Sequence, residues 1–274
     1  MERLIYVSDL DGTLLNHDKQ IPEKAKRILN DLMIGQDIHF TVATARTPAT
    51  VELILKDLLV QDPIIVMNGV ALYDLQKHQY EEVEYISPAQ VQSILKVIGK
   101  WVKQGFIYTI RENQLLVHYD QLVGEGRINF YEERKNLQYK KFIREPLNEL
   151  NEVIYFVFID LKENIQMIYN LLQSVEGIDM VMYKDLYSKE EYLLEVYSER
   201  ATKANGIKKL RKRGGYSKVI CFGDQLNDLT MFHEADEGIA VSNAVDEVKV
   251  LASDVIGSND EGSVAYFIQQ RTKE

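Results

Sequence analysis

Short apolar segments alternate with helix-like stretches near both ends of the chain. The apolar segments, each of strand length, are residues 4–7, 38–43, 64–67, 218–222 and 238–241. The stretch that begins near Pro22 has one apolar stripe at helical spacing, formed by Ala25, Ile28, Leu29, Leu32 and Met33. Thr47 followed by Pro48 indicates another helix start. Strands that alternate with helices predict a parallel sheet with helices on both faces, that is, a doubly wound, Rossmann-like α/β core.

The pattern changes in the middle of the chain. Residues 87–90, Ser-Pro-Ala-Gln, have a capping-box sequence that predicts a helix start. Strand-like segments follow near residues 106–110, 115–119, 153–159 and 179–183, with a helical stretch near residues 164–174. We therefore predict an inserted α+β cap domain at residues 85–187, within a core made of residues 1–84 and 188–274. These boundaries place a further strand, at residues 193–197, in the returning core.

Charge and composition narrow the classes of partner. The 274 residues include 42 Asp and Glu against 32 Lys and Arg, and the net charge of -10 makes nucleic acid an unfavourable partner. No apolar run approaches the roughly 20 residues of a membrane-spanning helix, and the first residues become acidic too early for a signal peptide. Cys221, the single cysteine, cannot form an internal disulfide. We expect a cytoplasmic protein without a membrane partner, and its oligomeric state stays open.

Two acidic clusters each follow an apolar segment. Asp9 and Asp11 come directly after the first predicted strand, and Asp224 and Asp228 follow the strand at residues 218–222. Because parallel strands present their carboxyl ends at one edge of a sheet, clusters that are distant in sequence can meet there. Neighbouring carboxylates repel one another unless a divalent cation neutralises them, and oxygen ligands suit Mg²⁺. An isolated Asp-x-Asp motif more often caps a turn. The interpretation of Asp9 and Asp11 as a metal site therefore depends on the presence of the second cluster.

Together with two further features, the acidic clusters resemble the four ordered signatures of the haloacid dehalogenase superfamily. Thr44, Ala45 and Arg46 end the second predicted strand, where the family places a hydroxyl group for phosphate, and Lys203 lies in the expected stretch before the last acidic cluster. The insertion between them resembles the cap of the Cof-type phosphatase branch, so the resemblance covers the whole chain. The family usually has glycine at the positions of Ala45 and Ala204, and neither departure removes a required functional group.

This resemblance implies a phosphatase that hydrolyses a small phosphorylated metabolite through an aspartyl-phosphate intermediate, with Mg²⁺ as cofactor and a cap that selects the substrate. Asp9 would be the nucleophile. The side chain of Asp11 would be the general acid and base, first protonating the leaving group and then activating water. The metal ligands would be Asp9, the backbone carbonyl of Asp11, and Asp224.

The resemblance also implies which residues hold the phosphate. They would be the Leu10 and Ala45 amides together with Thr44, Lys203 and Asn227. Phosphoryl transfer concentrates charge on the phosphoryl oxygens, so these donors and cations are of the types that the reaction needs. Thr202 is a candidate cap for a helix whose first residue is Lys203. Asp228 would support Lys203 or the metal site.

Other functions share parts of this pattern. A phosphomutase uses the same aspartyl-phosphate chemistry and is separated from a phosphatase by whether inorganic phosphate is released. A non-catalytic sensor of sugar phosphates would need the binding groups and not the catalytic ones. The leaving group is also open among sugar phosphates, nucleotides and cofactor phosphates, because no motif in the predicted cap identifies specificity residues.

Overall fold

The first and last parts of the chain fold together, and the middle part folds as an insertion between them. The computed structural model describes residues 3–147, 150–184 and 190–273. One unit consists of Met1–Val83 and Ala201–Glu274, and the other of Glu84–Arg200. The first unit is therefore discontinuous in sequence, whereas the second is continuous.

Strands and helices alternate through most of the chain. In chain order the strands are β1 (Leu4–Ser8), β2 (His39–Val42), β3 (Ile64–Val66), β4 (Ala71–Asp74), β5 (Gln79–Glu81), β6 (Gly105–Arg111), β7 (Gln114–Tyr119), β8 (Lys140–Arg144), β9 (Val153–Leu161), β10 (Ile178–Lys184), β11 (Glu191–Ser198), β12 (Lys218–Gly223), β13 (Glu237–Val241) and β14 (Asp254–Ile256). The α-helices are α1 (Glu23–Gly35), α2 (Pro48–Leu55), α3 (Pro88–Ile98), α4 (Glu125–Arg134), α5 (Lys162–Leu172), α6 (Lys203–Gly214), α7 (Leu229–Glu234), α8 (Asp246–Leu251) and α9 (Ser263–Arg271). In the described part of the chain, no helix has both the length and the apolar character that a membrane crossing requires.

The first unit is built on a parallel sheet. Its strand order is β14-β13-β12-β1-β2, and every neighbouring pair is parallel. β1 lies between β12 and β2, so Ser8 has Phe222 on one side and Val42 on the other. An isolated bridge from Ala43 to Ile65 joins this sheet to the antiparallel strands β3, β4 and β5. The predicted α/β class is confirmed.

Helix α1 of the first unit buries the face that the sequence pattern predicts. The buried residues of α1 are the five of the predicted stripe, Ala25, Ile28, Leu29, Leu32 and Met33. α1 packs against α9, and α6 packs against α7. Burial of an aliphatic side chain stabilises a fold by about 1.5 to 3 kcal/mol, so such a stripe fixes a helix on its sheet.

Close packing at two glycines fixes the start of α6. A Cβ on Gly69, which has φ of +102°, would lie 2.0 Å from the carbonyl oxygen of Thr202. A Cβ on Gly206 would lie 2.5 Å from a methyl group of Ile65. Only glycine permits these approaches, and they hold the first turn of α6 against β3 and the turn that follows it.

The second unit is built on a six-stranded sheet. Its strand order is β10-β11-β9-β6-β7-β8, and the pairs are antiparallel except β7 with β8. Helices α3 and α5 pack on one face around a cluster that includes Ile94, Phe156 and Ile165. α3 begins with the predicted capping box, in which Ser87 and Gln90 bond each other's backbone.

The strand predicted at residues 193–197 belongs to the second unit, not to the returning core. It is part of β11, which pairs with β9 on one side and with β10 on the other. Those two ladders join it to the six-stranded sheet, and the second unit extends to Arg200. The predicted boundary between residues 187 and 188 itself lies outside the described residues.

Candidate functional site

The site begins where two central strands of the parallel sheet end. Asp9 follows β1, and its backbone N–H donates to the carbonyl of Phe222 in β12 at 2.9 Å. Asp224 directly follows the last residue of β12. The pairing of β1 with β12 thus brings the two predicted acidic clusters to one edge, as expected for parallel strands.

Lys203 joins two carboxylates. Its Nζ donates to Asp9 Oδ1 at 2.5 Å and to Asp228 Oδ1 at 2.7 Å. The Lys203 side chain is only 1% exposed and that of Asp228 is fully buried. Lys203 is the first residue of α6, where the Thr202 hydroxyl accepts from the Asn205 N–H at 3.1 Å. The cap therefore fixes the helix end that carries the ammonium group.

Asp228 organises the backbone of the second acidic cluster. Its Oδ2 accepts from the backbone N–H groups of Asp224 and Gln225 at 2.9 and 3.0 Å. A Cβ on Gly223 would lie 2.6 Å from the Asp228 Cβ, so glycine is needed for this approach. Both oxygens of Asp228 thus accept hydrogen bonds, one from Lys203 and the other from the turn.

Asp224 lies against the loop that follows β1. Its carboxylate accepts from the Thr13 hydroxyl and from the Gln225 amide, each at 3.0 Å. Gly12 has φ of +85°, and a Cβ there would lie 2.4 Å from Asp224 Oδ2. The carboxylate therefore occupies the space that any other residue at position 12 would fill. Neither Thr13 nor Gln225 was predicted from the sequence as a contact of Asp224.

Asn243 fixes the same loop from another strand end. Its side-chain amide donates to the Gly12 carbonyl at 2.7 Å, and its oxygen accepts from the Asn259 N–H at 3.0 Å. Asn259 in turn donates to the Leu15 carbonyl at 2.8 Å. The loop after β1 is thus tied to residues that follow β13 and β14.

Buried negative charge dominates this cluster. Asp9, Asp224 and Asp228 each place a carboxylate oxygen within 4.8 Å of the others. Burial raises the pKa of Asp9 to about 7, although the Lys203 ammonium opposes this change. Burial likewise raises the pKa of Asp224, against the hydrogen bonds from Gln225 and Thr13. Burial alone would lower the pKa of Lys203, but the carboxylates of Asp9 and Asp228 outweigh it and raise that pKa.

The donor set fits a hard divalent cation. Three buried carboxylates face one ammonium group, so the cluster carries excess negative charge that a cation would offset. All the candidate ligand atoms are oxygens, which suits Mg²⁺ better than zinc or copper. Because Gly12 has no side chain, the Asp224 carboxylate can occupy the position beside it within the cluster.

The predicted phosphate-binding residues other than Lys203 occupy the neighbouring turns. Thr44 is buried at the end of β2, next to β1, and its hydroxyl accepts from the Arg46 N–H at 3.1 Å. Leu10 is fully buried, so only its backbone can contribute to binding. Ala45 and Asn227 are exposed on the turns after β2 and β12. These four residues therefore lie on turns that follow β1, β2 and β12, the strands whose ends also carry the acidic cluster.

Asp11 contacts a residue to which the sequence pattern assigned no role. Arg46 donates to both oxygens of the Asp11 carboxylate, from Nε at 2.6 Å and from Nη2 at 2.5 Å. The position of Arg46 directly after Thr44 and Ala45 was a usable signal, because it follows the strand next to β1.

Comparisons with known proteins agree with this geometry. Residues 6–268 match a family model described as haloacid dehalogenase-like hydrolase. The chain is 28% identical to 5-amino-6-(5-phospho-D-ribitylamino)uracil phosphatase YwtE of Bacillus subtilis, with 96% of each chain covered.

Solved structures show the same fold along the full length. The crystal structure of TM0651 from Thermotoga maritima has a TM-score of 0.77 and 25% identity, and the match covers 98% of this chain and 97% of that one. A structure described as the HAD subclass IIB sugar phosphatase BT4131 has a TM-score of 0.71 and 20% identity, with 98% of each chain covered. At that identity the second likeness concerns the fold alone.

Proposed function

Because the chain belongs to the haloacid dehalogenase-like hydrolases, we propose that it is a Mg²⁺-dependent phosphatase that acts through an aspartyl phosphate on Asp9. The observation that carries this proposal is the buried chain of contacts from Asp9 through Lys203 to Asp228. A carboxylate held by a buried ammonium group has a fixed position from which to attack phosphorus. Pure binding of a phosphate would not require a carboxylate at that point, since carboxylates repel anions.

The cation would be held by Asp9 and Asp224, with the backbone carbonyl of Asp11 as a further ligand. Both oxygens of Asp228 already accept hydrogen bonds, which favours a supporting role for that residue. When bound, Mg²⁺ supplies positive charge that offsets the charge of the phosphoryl oxygens. Lys203 supplies further positive charge from the protein itself.

The reaction has two steps. In the first, a carboxylate oxygen of Asp9 attacks phosphorus, the ester P–O bond breaks, and the departing oxygen takes a proton from the Asp11 carboxyl group. In the second, water gives a proton to Asp11 while its oxygen attacks phosphorus. The bond from phosphorus to Asp9 then breaks, and inorganic phosphate leaves with both aspartates restored. Thr44, Lys203, Asn227 and the Leu10 and Ala45 amides hold the phosphoryl oxygens.

We assign the choice of leaving group to the second unit, Glu84–Arg200. All residues proposed for the phosphate chemistry lie in the first unit, so the second is left to recognise the remainder of the substrate. The substrate is a small phosphate ester, such as a sugar phosphate, a nucleotide or a cofactor phosphate. The relative named for a phosphoribitylamino-uracil favours an ester of a polyol chain.

Release of inorganic phosphate tests the proposal. We would compare the native chain, Asp9→Asn and, as a control, Asp31→Asn, an exposed carboxylate in α1, on a panel of phosphorylated metabolites. The expected result is turnover that needs Mg²⁺, is abolished by a chelator and by Asp9→Asn, and survives Asp31→Asn. Phosphate transfer to a second sugar without release would indicate a mutase instead. Binding without turnover would indicate a sensor.

A further inference from the structure

The Asp11 carboxylate is held at both oxygens by one guanidinium group. Arg46 donates from Nε to Oδ2 at 2.6 Å and from Nη2 to Oδ1 at 2.5 Å. Two parallel charge-assisted hydrogen bonds fix both the direction and the plane of a carboxylate, which a single bond to an ammonium group does not. Asp11 therefore has one defined orientation.

The backbone of Arg46 is itself anchored. Its N–H donates to the Thr44 hydroxyl at 3.1 Å, and its carbonyl accepts from the Met67 N–H at 3.0 Å. Asp11 and Arg46 follow the adjacent parallel strands β1 and β2, so the sheet places them on neighbouring turns. The guanidinium group thus reaches Asp11 from a turn that is fixed on both sides.

Stability does not account for this pair. The Asp11 side chain is 49% exposed and that of Arg46 is 23% exposed. Ion pairs open to solvent contribute little to the free energy of unfolding. The main effect of the Asp11–Arg46 pair is therefore on the orientation of the Asp11 carboxylate. A group that transfers a proton must lie within hydrogen-bond reach of the reacting oxygen.

We propose that Arg46 is a positioning residue, which holds the Asp11 carboxyl group in the orientation from which it exchanges a proton with the leaving oxygen. The proposal rests on the proposed function, in which Asp11 is the general acid and base. A carboxylate oxygen has two lone-pair directions, so Asp11 can bond Arg46 and still face a substrate oxygen. Arg46 acts through Asp11 and does not touch the reacting atoms.

The test compares two esters that differ in their need for a proton donor. Glucose 6-phosphate releases an alkoxide, which needs protonation, whereas 4-nitrophenyl phosphate releases a phenolate that leaves without it. The parameter is kcat/KM, because it excludes the later hydrolysis of the aspartyl phosphate. We expect Arg46→Gln to lower kcat/KM for the alkyl ester by about 10 to 100-fold and to change that for the aryl ester by less than about threefold.

A double-mutant cycle separates positioning from direct binding. We expect Arg46→Gln to have no further effect on the alkyl ester when Asp11→Asn is already present, because Arg46 then has no acid to position. Arg46→Lys should restore part of the loss, since it returns one donor without the fork. The control is Arg213→Gln, which removes a two-point surface pair with Glu81 in the same unit and should change neither ester.

Three results would overturn the proposal. Equal losses on both esters with a raised KM would mean that Arg46 binds phosphate directly. An additive loss in the Asp11→Asn background would mean that it acts independently of Asp11. If the native chain releases phosphate from neither these two esters nor any member of the metabolite panel, the proposed function fails. Crystal structures then test the positioning role separately: an Asp11 carboxylate equally well ordered in Arg46→Gln would show that Arg46 does not hold it.

Discussion

At the scale of single residues, the site depends on one position without a side chain. Gly12 has a left-handed backbone conformation and leaves the space that the Asp224 carboxylate occupies. Asp224 also accepts from Thr13, the next residue of the same loop. A substitution at position 12 would therefore act on the acidic cluster directly, and not only through backbone strain.

We expect Gly12→Ala to lower kcat by about 100-fold or more, because displacing a catalytic group by about 1 Å has an effect of that order. Gly215→Ala is the matched control. Gly215 also has positive φ, +65°, but a Cβ at that position would have no described atom within 4 Å beyond those of its chain neighbours. Both variants should lose some stability in urea unfolding from backbone strain, and Gly12→Ala should lose more because its added methyl group meets Asp224. Equal activity in the two variants would contradict the role given to Gly12.

The charged form of Lys140, in the second unit, is disfavoured by its surroundings. Burial lowers its pKa to about 8, with the nearby Arg134 acting in the same direction and Glu195 opposing both. Its Nζ lies 5.4 Å from the centre of the Tyr108 ring. In the unfolded chain the same group has a pKa near 10.5. Between these two values the unfolded state binds more protons, so the contribution of Lys140 to stability rises with pH.

Lys140→Met should therefore stabilise the protein by about 1 to 3 kcal/mol below pH 8, where the native lysine is charged in both states. The gain should shrink as the pH rises from about 8 towards 10.5. Urea unfolding of both proteins at several pH values measures it, with Lys141→Met, an exposed neighbour, as the control. A gain independent of pH would mean that the methionine acts through packing alone.

At the scale of elements, the start of α6 links stability to the site. Thr202 caps the helix, and Lys203 follows as its first residue. The close approach at Gly69 holds the same turn. The helix end thus places its ammonium group between Asp9 and Asp228 by backbone geometry.

We expect Thr202→Ala to lower the free energy of unfolding by about 1 kcal/mol, as is typical for a lost N-cap, and also to lower kcat severalfold. Ser87→Ala removes the corresponding cap of α3 in the second unit and should lower stability alone. Thermal unfolding and phosphate release would be measured on both variants. If kcat is unaffected by Thr202→Ala, the cap does not control the position of Lys203.

The elements also show how far sequence patterns reach. The stripe of α1 and the capping box of α3 are local signals, and both predictions are confirmed. The family and the phosphatase class are confirmed as well. The position of β11 was wrong, because a strand pattern does not say which sheet it joins. The hydrogen bonds from Arg46 to Asp11 depend on how two turns are placed relative to each other. The local sequence of either turn does not determine that placement.

At the scale of the whole molecule, the excess negative charge should link cation binding to folding. A ligand that binds only the folded state stabilises it by about 2.7 kcal/mol at 100 times its Kd. For a protein of this size, that corresponds to a rise in Tm of about 5 to 10 °C. We expect Mg²⁺ to produce such a rise and a chelator to reverse it.

Asp224→Asn should abolish most of the shift, because it removes a proposed ligand. Asp246→Asn, whose side chain is 97% exposed in α8, is the control and should keep the shift. Calorimetry of the native chain and both variants, with and without Mg²⁺, gives the measurement. A shift of the same size in all three proteins would place the cation elsewhere.

The central position of β1 also has a consequence for biosynthesis. β1 pairs with β2 soon after both are made, but its other neighbour is β12, so Leu4 waits for Lys218 to emerge from the ribosome. Until then one edge of β1 is an open template for other chains. The intervening unit, Glu84–Arg200, is continuous and can fold during that interval. A nascent chain that stalls before β12 would therefore have a folded second unit and an incomplete parallel sheet. Chaperones and proteases would act on this partly folded form.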